Sequence, residues 1–343
     1  MSTLTKFHQA AERTTQWACT ILDKGAFGPA RGIIGAHYKA PMALLAAGRT
    51  AESSQVLGHL KRHFFRDGNF HYGQDDPTPA PGTNYRNGWI AWGAHCLGCY
   101  DIAKVSLDFL ETQIHPSRGG VVDIPMADPQ QRALDVGATA CVVNALLAGG
   151  RTDAAVRAAQ MLRRVFDQAS TAGTHILLRE QWDGQRIEAT APDTGLPRSM
   201  LCISAEQPGQ IYWYLGYAMR VLALLYRATG DKDWLTIGHR VGDFTLRCHD
   251  EIYACATNGK LAWGATEMYG VTGDERYLTL ATRISDWLIA TQDPSGVWVR
   301  RPQFDTVQAQ PLPVSLDTSV ERLFYMYDIP RALELYDTEV LTR

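Results

Sequence analysis

Stretches that are apolar on every side alternate along the chain with stretches that carry one charged face. Residues 211–226 are apolar or aromatic almost throughout, which is typical of a helix buried on all sides. Gly230 ends this helix and Asp231 can cap the next one, so the chain turns back within a few residues. The same unit of apolar helix end, glycine turn and amphipathic helix recurs at residues 46–57, 147–159, 228–238 and 271–281. The pattern therefore predicts repeated helical hairpins.

Charged and apolar helices form six successive pairs, followed by a last helix near residues 330–340. Six hairpins with alternating burial can close into a ring whose inner wall consists of the apolar helices. The predicted fold is all-α, an (α/α)6 barrel or toroid, and residues 1–343 form one domain because no Pro/Ser-rich linker divides them. The outer and inner helices are predicted at residues 5–24 and 37–48, 51–65 and 84–100, 101–114 and 134–149, 152–170 and 207–229, 231–248 and 259–272, and 274–292 and 316–327.

The connections between these helices differ between the two ends of the predicted ring. Turns from an inner to an outer helix are short and contain glycine, whereas most connections from an outer to an inner helix are long. All long loops must then share one face with the N-termini of the inner helices, which favour carboxylates, phosphates and developing oxyanions. We expect the short turns to close the opposite face and an active funnel to open on this one. The loops predicted to bound the funnel are residues 66–84, 115–133, 171–206 and 293–315.

Several of the long loops alternate apolar and polar residues as strands do. Residues 175–190 show this alternation, with Asp183 and Gly184 at the position of a hairpin turn. Short β-hairpins are therefore expected around the mouth of the ring.

Carboxylates at the starts of inner helices are the first candidates for catalysis. Asp135 and Asp317 open otherwise apolar helices, and Glu206 lies beside another. Carboxylates in a funnel desolvated by aromatic side chains can have raised or divergent pKa values and act as general acid and base. Each can equally be a helix cap, and Thr318 with Glu321 fits a capping box after Asp317.

Two histidines lie near the predicted mouth. His37 and His71 are placed to move protons, although a loop histidine is often only a polar surface residue. His59 and His63 lie on a charged outer helix, and we expect them to face solvent.

Aromatic and polar side chains are mixed in the first turns of the inner helices. Much of the aromatic set must be ring core, because inner helices need bulky side chains. A pocket that offers both stacking faces and hydrogen-bond donors suits an oxygenated ring, either a sugar or a polar polycyclic or terpenoid metabolite. The residues predicted to bind substrate are Tyr38, Tyr72, Tyr85, Arg86, Asn87, Trp89, Gln207, Gln210, Tyr212, Trp263 and Glu267.

Composition narrows the classes of partner. A formal net charge of -3, from 33 basic and 36 acidic residues, gives no field for nucleic acid, and no Lys/Arg run creates one locally. The first residues resemble neither a signal nor a transit peptide and no window approaches a membrane span, so we expect a soluble cytoplasmic protein. The expected partner is a small-molecule substrate.

The cysteines and the missing motifs bear on cofactors. Seven cysteines are scattered and odd in number, which favours reduced thiols over a disulfide framework. Cys96 and Cys99 form a C-x-x-C inside a predicted inner helix, with no second ligand pair and no preceding strand. Glycine-rich nucleotide motifs, P-loops and the G-x-S-x-G elbow are absent from the sequence. We therefore expect no metal site and no cofactor.

Residues 283–298, RISDWLIATQDPSGVW, carry a resemblance to a known superfamily. Arg283, Gln292 and Trp298, with their neighbours, match most of the QW repeat of triterpene cyclases, although Ile284 replaces its small residue. With the helix alternation and the Gly-Asp turns, the chain resembles the α/α-toroid superfamily of terpenoid cyclases, protein prenyltransferase β subunits and several six-hairpin sugar enzymes. The resemblance implies the toroid fold, and this repeat ties a helix end to a loop without taking part in catalysis. The Asp-rich acid motif of triterpene cyclases is absent.

Three hypotheses for function follow. The first is a cofactor-independent acid–base enzyme, an isomerase, cyclase or lyase, acting in the funnel on a small, oxygenated, partly hydrophobic metabolite such as a terpenoid or polycyclic compound. The second is a carbohydrate-active toroid, a glycoside hydrolase or sugar epimerase; two carboxyl groups roughly 5–10 Å apart across the funnel would favour hydrolysis. The third is a non-enzymatic ligand-binding toroid, favoured if Asp135, Glu206 and Asp317 all serve as helix caps and side chains plug the funnel.

Overall fold

Twelve α-helices form six hairpins in the computed structural model, which describes residues 3–73, 81–126, 128, 132–169, 173–187 and 200–341. The outer helices are α1 (Thr3–Thr20), α3 (Thr50–Phe64), α5 (Tyr100–Thr112), α7 (Thr152–Ala169), α9 (Lys232–Thr245) and α11 (Glu275–Ala290). The inner helices are α2 (Ala40–Ala46), α4 (Thr83–Cys96), α6 (Val136–Ala148), α8 (Trp213–Thr229), α10 (Gly259–Thr272) and α12 (Leu312–Leu341).

The inner helices form a closed ring. Each packs against the next, from α2 through α4, α6, α8 and α10 to α12, and α12 packs against α2. Each outer helix packs against the inner helix that precedes it, and α1 completes the outer layer by packing against α12. The predicted (α/α)6 toroid is confirmed. None of the described helices combines the length and the apolar character that crossing a membrane requires.

The predicted glycine turns join each inner helix to its outer neighbour. Gly230 ends α8 in the left-handed conformation with φ 71°, and its N–H donates to the carbonyl oxygen of Tyr226 at 2.7 Å. The side chain of Asp231 then accepts a hydrogen bond from the N–H of Asp233 and caps α9. Gly273 and Asp274 repeat this arrangement between α10 and α11.

Short strands lie in the long connections. Within the described residues they are β1 (Leu22–Asp23), β2 (Ala26–Phe27), β3 (Phe65–Arg66), β4 (Asn69–Phe70), β5 (Val121–Val122), β6 (Ala133–Asp135), β7 (His175–Leu177), β8 (Arg179–Gln181) and β9 (Cys202–Ser204). The pairs β1-β2 and β3-β4 are local antiparallel hairpins. By contrast, β6 pairs with β5 of its own connection and with β8 of the connection between α7 and α8, so these two connections are joined. Strands β7 and β9 pair within the connection between α7 and α8. The expected turn after β8 is present, with Gly184 at φ 95°.

Several predicted boundaries were wrong, among them the end of α1, which lies at Thr20 rather than residue 24. Helix α8 begins at Trp213 rather than residue 207, because Pro208 and the left-handed Gly209 interrupt the chain there. Helix α12 begins at Leu312 and continues through Pro330, so the separate helix predicted near residues 330–340 is its second half. The C-x-x-C pair lies at a short turn and not inside a helix, since α4 ends at Cys96. None of the seven cysteines, all within the described part, is in a disulfide.

The repeat at residues 283–298 ties the end of α11 to α1. The side chain of Gln292 accepts a hydrogen bond from Nε of Arg13 at 3.0 Å and donates to Oγ1 of Thr14 at 2.8 Å. Nε1 of Trp298 donates to the carbonyl oxygen of Leu288 at 2.7 Å. These contacts are structural, as the resemblance implied.

Aromatic side chains from four inner helices fill the middle of the ring, and we call this cluster the aromatic plug. The ring of Trp263 lies 6.2 Å from that of Trp89, 6.0 Å from that of Trp92 and 5.3 Å from that of Phe324, between centroids. Tyr217 packs against the same indole at 5.6 Å. Because the plug occupies the centre, the cavities at the two ends of the ring are separate in the described part of the chain.

Candidate active site

One cavity, of about 290 Å³, lies at the N-terminal ends of the inner helices, and we call it the charged cavity. Its aromatic wall consists of Tyr38, Tyr85, Trp213 and Tyr325. Its charged side chains are Lys39, Lys260, Arg300, Asp317, Glu321 and Arg322. Both long-loop residues and first-turn residues therefore reach one small space, as the predicted position of the funnel required.

A pair of carboxylates on α12 receives both lysines. Asp317 and Glu321 are one helical turn apart, so their side chains share a face. Nζ of Lys39 lies 2.8 Å from Oδ1 of Asp317 and 2.5 Å from Oε2 of Glu321. Nζ of Lys260 pairs with Oε1 of Glu321, which also accepts a 2.6 Å hydrogen bond from the hydroxyl of Tyr325. Each carboxylate is thus held by more than one donor.

Two arginines complete the charged set. Nη2 of Arg300 donates to Oδ2 of Asp317 at 2.7 Å and to Oγ1 of Thr318 at 2.9 Å. Nη2 of Arg322 donates to the carbonyl oxygen of Ala256, in the connection before α10. Arg322 is almost fully buried, at 3% exposure.

Burial makes the protonation states in this cavity unequal. Burial and the positive charge of Lys39 lower the pKa of Lys260 well below its usual range, against the opposing attraction of Asp317. Burial would raise the pKa of Asp317, but the charges of Lys39 and Arg300 outweigh it and hold that pKa below its usual range. Burial and Arg300 lower the pKa of Arg322 to about 9. The cavity therefore holds an ionised aspartate and a lysine suited to exchanging protons.

The amine of Lys260 also faces aromatic rings. Its Nζ lies 5.0 Å from the ring centre of Trp213 and 5.7 Å from that of Tyr85. These rings exclude water from one side of the lysine, while the carboxylate of Glu321 contacts the other.

Of the residues predicted from sequence, three line the charged cavity: Asp317, Tyr38 and Tyr85. Asp317 and Thr318 do not begin a capping box, because α12 starts five residues before Asp317, at Leu312. The cavity end agrees with the predicted funnel, although much of the predicted rim, residues 74–80, 127, 129–131, 171–172 and 188–199, lies outside the described residues.

Asp135 is not among the residues that line the charged cavity, and its partners hold it at the start of α6. Its Oδ1 accepts a 2.7 Å hydrogen bond from the N–H of Ala138 as the cap of α6, and its Oδ2 lies 3.1 Å from Nη2 of Arg179. Arg179 also pairs with Asp123 at 2.9 Å. Burial and the charge of Asp123 raise the pKa of Asp135 to about 6, with Arg179 acting in the opposite direction. A catalytic role for Asp135 remains a prediction.

The two candidate histidines differ in burial. His37 is fully buried, its Nε2 accepts a hydrogen bond from the N–H of Phe27, and its Nδ1 lies 2.9 Å from the carbonyl oxygen of Ile33. Burial lowers its pKa to about 4. His71 is half-buried, and its backbone N–H donates to Phe64. The expectation that His59 faces solvent is wrong, since it is fully buried and its Nε2 bonds the backbone.

The predicted site residues just before α8 lie in the connection from β9, and two of them stabilise it by hydrogen bonds. Glu206 and Gln207 are exposed. The side chain of Gln210 accepts a hydrogen bond from the N–H of Ser204 at 2.9 Å, and the buried hydroxyl of Tyr212 donates to the backbone of Gln207 at 3.3 Å. These contacts fix the path of the chain into α8.

The candidates at the start of α4 lie beside the cavity. The guanidinium of Arg86 stacks 5.0 Å above the ring of Tyr72, which is half-exposed, and donates to the carbonyl oxygen of Pro81. Asn87 is fully buried, and its side chain accepts a hydrogen bond from the N–H of Phe70. This asparagine anchors β4 to α4.

The remaining candidates lie in the plug or beyond it. Trp89 and Trp263 are plug residues, and Nε1 of Trp263 donates to Oδ2 of Asp328 at 2.7 Å. Glu267, nearer the C-terminal end of α10, pairs with Arg220 and accepts a 2.5 Å hydrogen bond from the hydroxyl of Tyr336. These side chains thus face the other end of the ring.

That end holds a larger cavity, of about 610 Å³, which we call the rear cavity. It is lined by the C-terminal parts of α2, α4 and α12 and by Leu4 and His8 of α1. The expectation that short turns close this face is wrong, because α12 continues through Pro330 and forms a wall beside α1. Its buried charges are paired: Arg220 with Glu267, and Asp328 with Arg331 at 2.7 Å.

Sequence reasoning missed five of the six charged groups as functional residues: Lys39, Lys260, Arg300, Glu321 and Arg322. One signal was available, since Lys39 and Lys260 each stand at the start of an otherwise apolar inner helix. Glu321 was interpreted as part of a cap. Within the part of the chain that the structure describes, no group of three or more His, Cys, Asp and Glu side chains is arranged to hold a metal ion.

No family model and no curated protein matches this chain. Solved structures do match over almost their whole length. A D-mannose isomerase superposes with a TM-score of 0.68 at 14% identity, covering 95% of this chain and 97% of that chain. The GH76 α-mannanase of Bacteroides thetaiotaomicron gives 0.66 at 14% identity, with 98% and 97% covered.

The cellobiose 2-epimerase of Spirochaeta thermophila gives a TM-score of 0.64 at 13% identity, covering 99% of this chain and 100% of that chain. At these identities the likeness shows the shared toroid fold. All three of these toroids are enzymes by name.

Proposed function

We propose that this protein is a carbohydrate-active enzyme that isomerises or epimerises a small sugar in the charged cavity. The observation that carries the proposal is Lys260, a buried amine held between the carboxylate of Glu321 and aromatic rings. A base whose pKa is lowered toward the working pH can both take and return a proton. The volume of about 290 Å³ suits a molecule of monosaccharide size.

The chemistry begins at the carbon beside the carbonyl of the open-chain sugar. Lys260 removes the proton from that carbon, the C–H electron pair forms a C=C bond, and the carbonyl oxygen becomes an enediolate oxygen. Lys39 and Arg300 donate hydrogen bonds to this oxygen. Glu321 passes the hydroxyl proton between the two neighbouring oxygens. Lys260 then returns its proton to the adjacent, former carbonyl carbon, giving the isomer. For the epimer, the planar intermediate first turns about its neighbouring C–C bond, so that Lys260 meets the other face of the first carbon and returns the proton there.

The polar lining supports a sugar over a terpenoid or polycyclic substrate. Six charged side chains surround about 290 Å³, and a hydrocarbon skeleton offers no polar groups to replace the water that these charges would lose on binding. Hydroxyl groups can satisfy these charges, and the faces of Trp213 and Tyr85 can stack on a sugar ring. The fold adds support by analogy, because D-mannose isomerase and cellobiose 2-epimerase share it.

Glycoside hydrolysis is the second candidate, and the carboxylates Asp317 and Glu321 favour it. Hydrolysis needs one protonated carboxyl group as general acid and one carboxylate as nucleophile or base. The low pKa of Asp317 makes it a poor acid, and both groups stand on one wall rather than across the cavity. The isomerase is therefore the first proposal.

The test is an exchange assay in D₂O, followed by proton NMR. D-glucose, D-mannose, D-fructose, cellobiose, D-glucuronate and D-glucose 6-phosphate are each incubated with the protein. We expect loss of the C2 proton signal from at least one sugar, together with its isomer or epimer. The variant Lys260→Met should lose this activity, while Lys104→Met, at an exposed lysine, should keep it. Release of sugar from α-mannan or aryl glycosides without C2 exchange would replace isomerisation by hydrolysis.

A further inference from the structure

We propose that the charged cavity selects a sugar bearing a negative group, either a carboxylate or a phosphate, and that Arg322 binds that group. The proposal rests on the proposed function for the sugar part of the ligand. The negative group itself is inferred from the charges around the cavity.

The charges that line the cavity do not balance. Four cations, Lys39, Lys260, Arg300 and Arg322, face two carboxylates, Asp317 and Glu321. Even with Lys260 as a neutral amine, the cations exceed the carboxylates. A small space with excess buried positive charge attracts anions.

The two carboxylates are already engaged. Asp317 is bound by Lys39 and Arg300, and Glu321 by Lys39 and Lys260. Each carboxylate therefore already has two cationic partners, and neither of them is an ion-pair partner of Arg322.

Arg322 is the cation left over. Its guanidinium donates to the carbonyl oxygen of Ala256 and lies 5.7 Å from the ring centre of Trp298. Among the described residues, the charged neighbour with the largest effect on the pKa of Arg322 is another cation, Arg300. No carboxylate of the described residues forms an ion pair with Arg322. A buried cation without a counter-ion is unfavourable, so an anionic ligand would gain affinity here.

Arginine is suited to this role. Its planar fork of N–H donors matches the two oxygens of a carboxylate or phosphate. With the anionic end of the sugar at Arg322, the remainder of the ligand would extend along Tyr325 and Glu321 toward Lys260. The same residues that bind the charge would therefore position the reacting carbons.

The rear cavity shows that this excess is not general to the fold. There, the buried guanidinium of Arg220 has Glu267 as its partner, and Asp328 pairs with Arg331. Among the described residues, the buried arginine of the rear cavity thus has a carboxylate partner, whereas Arg322 and also Arg86, at the start of α4, have no ion pair.

The test is isothermal titration calorimetry at constant ionic strength with matched pairs of ligands. D-Glucuronate and D-glucose 6-phosphate are each compared with D-glucose, and the two anions distinguish a carboxylate from a phosphate site. We expect at least one anionic sugar to bind about tenfold or more tightly than glucose. Arg322→Gln should abolish that preference, so that the anionic sugars and glucose bind with similar affinity. Arg322→Lys, which keeps the charge, should retain part of it, and Arg331→Gln in the rear cavity should change nothing.

Equal affinity of wild type for glucose and both anions would overturn the proposal, as would an unchanged preference in a folded Arg322→Gln variant. If Arg322→Gln fails to fold, Arg322→Lys becomes the test variant, and we expect it to keep part of the preference for the anionic sugar. A folded Arg322→Lys variant that binds glucose and the anions equally well would contradict a role for the positive charge. These results are separable from the proposed function. Proton exchange on neutral sugars without an anion preference overturns only the present inference, whereas anion preference without any exchange overturns only the isomerase.

Discussion

The two ends of the ring carry cavities of opposite character. The rear cavity is the larger, at about 610 Å³ against about 290 Å³, but its buried charges are matched in ion pairs. The charged cavity has more cations than carboxylates and a lysine whose pKa is lowered. Cavity size alone would favour the rear cavity as the active site, whereas desolvated and unbalanced charges favour the charged cavity.

The contrast between Arg220 and Lys260 shows why. The guanidinium of Arg220 lies 3.7 Å from the ring centre of Trp263, donates to Asn144 at 3.2 Å and pairs with Glu267. Its donors are engaged in holding α6, α8 and α10 together beneath the plug. Both side chains border a cavity, but Lys260 faces Glu321, which it shares with Lys39. We therefore expect substitutions at the rear end to change stability and those at the charged end to change turnover.

Lys260→Met should produce the largest effect. Loss of the proton-transferring amine should lower kcat by about 10²–10⁴-fold, the usual contribution of a general base. The melting temperature should fall less than in Arg220→Met, because Glu321 keeps Lys39 and the hydroxyl of Tyr325 as partners. Steady-state kinetics on the sugar found by exchange, with Lys104→Met as control, checks this. A kcat within threefold of wild type would exclude Lys260 as the base.

Arg220→Met, in the rear cavity, should lower stability and leave turnover nearly unchanged. It leaves the carboxylate of Glu267 buried without its main cation, which should reduce the free energy of unfolding by about 3–5 kcal/mol. Urea unfolding measures the loss, and kcat of the folded fraction should remain within about threefold of wild type. Combining Arg220→Met with Glu267→Leu should recover part of the stability, since no charge is then unpaired. A large fall in kcat without loss of stability would instead indicate that the rear cavity is the active site.

Asp135→Asn distinguishes a helix-capping role of Asp135 from a catalytic role. Asparagine can still accept the hydrogen bond from Ala138, but it loses the ion pair with Arg179, so we expect a loss of about 1.5–3 kcal/mol in unfolding free energy. Asp135 contacts the hydroxyl of Tyr214, whose ring stacks on Trp213 of the cavity wall, so we expect kcat to fall far less than in Lys260→Met. A variant as stable as wild type with strongly reduced turnover would instead support the catalytic role predicted from sequence.

His37 should make the charged end sensitive to acid. Its folded pKa of about 4 lies below the unfolded value of 6.5, so the unfolded chain binds the proton first and stability falls as pH drops below 6.5. The expected loss between pH 7 and pH 5 is about 2 kcal/mol from this residue. In His37→Gln, urea unfolding at the two pH values should show a correspondingly smaller difference. An unchanged pH dependence would show that His37 is not responsible.

The fold could be predicted because its signals are local. The apolar run of 211–226 and the Gly230-Asp231 turn specify a buried helix and its return without reference to the rest of the chain. The pairing of β6 with β8 could not be foreseen, since it joins two loops whose separation in sequence carries no pairing signal.

The site was harder because its residues meet only after folding. A lysine at a helix start, such as Lys39, looks like a surface residue until α12 is placed opposite it. Asp135 resembled a catalytic group from its position, but its partner Arg179 comes from a separate loop. Arg300 was hidden for the same reason, because the path of its connection depends on packing against α12.

The most direct test of the difference between the two ends is a crystal structure of the protein with the anionic sugar that binds best. We expect the ligand in the charged cavity, its negative group on Arg322 and its carbonyl-bearing carbons within reach of Nζ of Lys260. A ligand seated instead in the rear cavity beside Arg331 would contradict the assignment of function to the long-loop end.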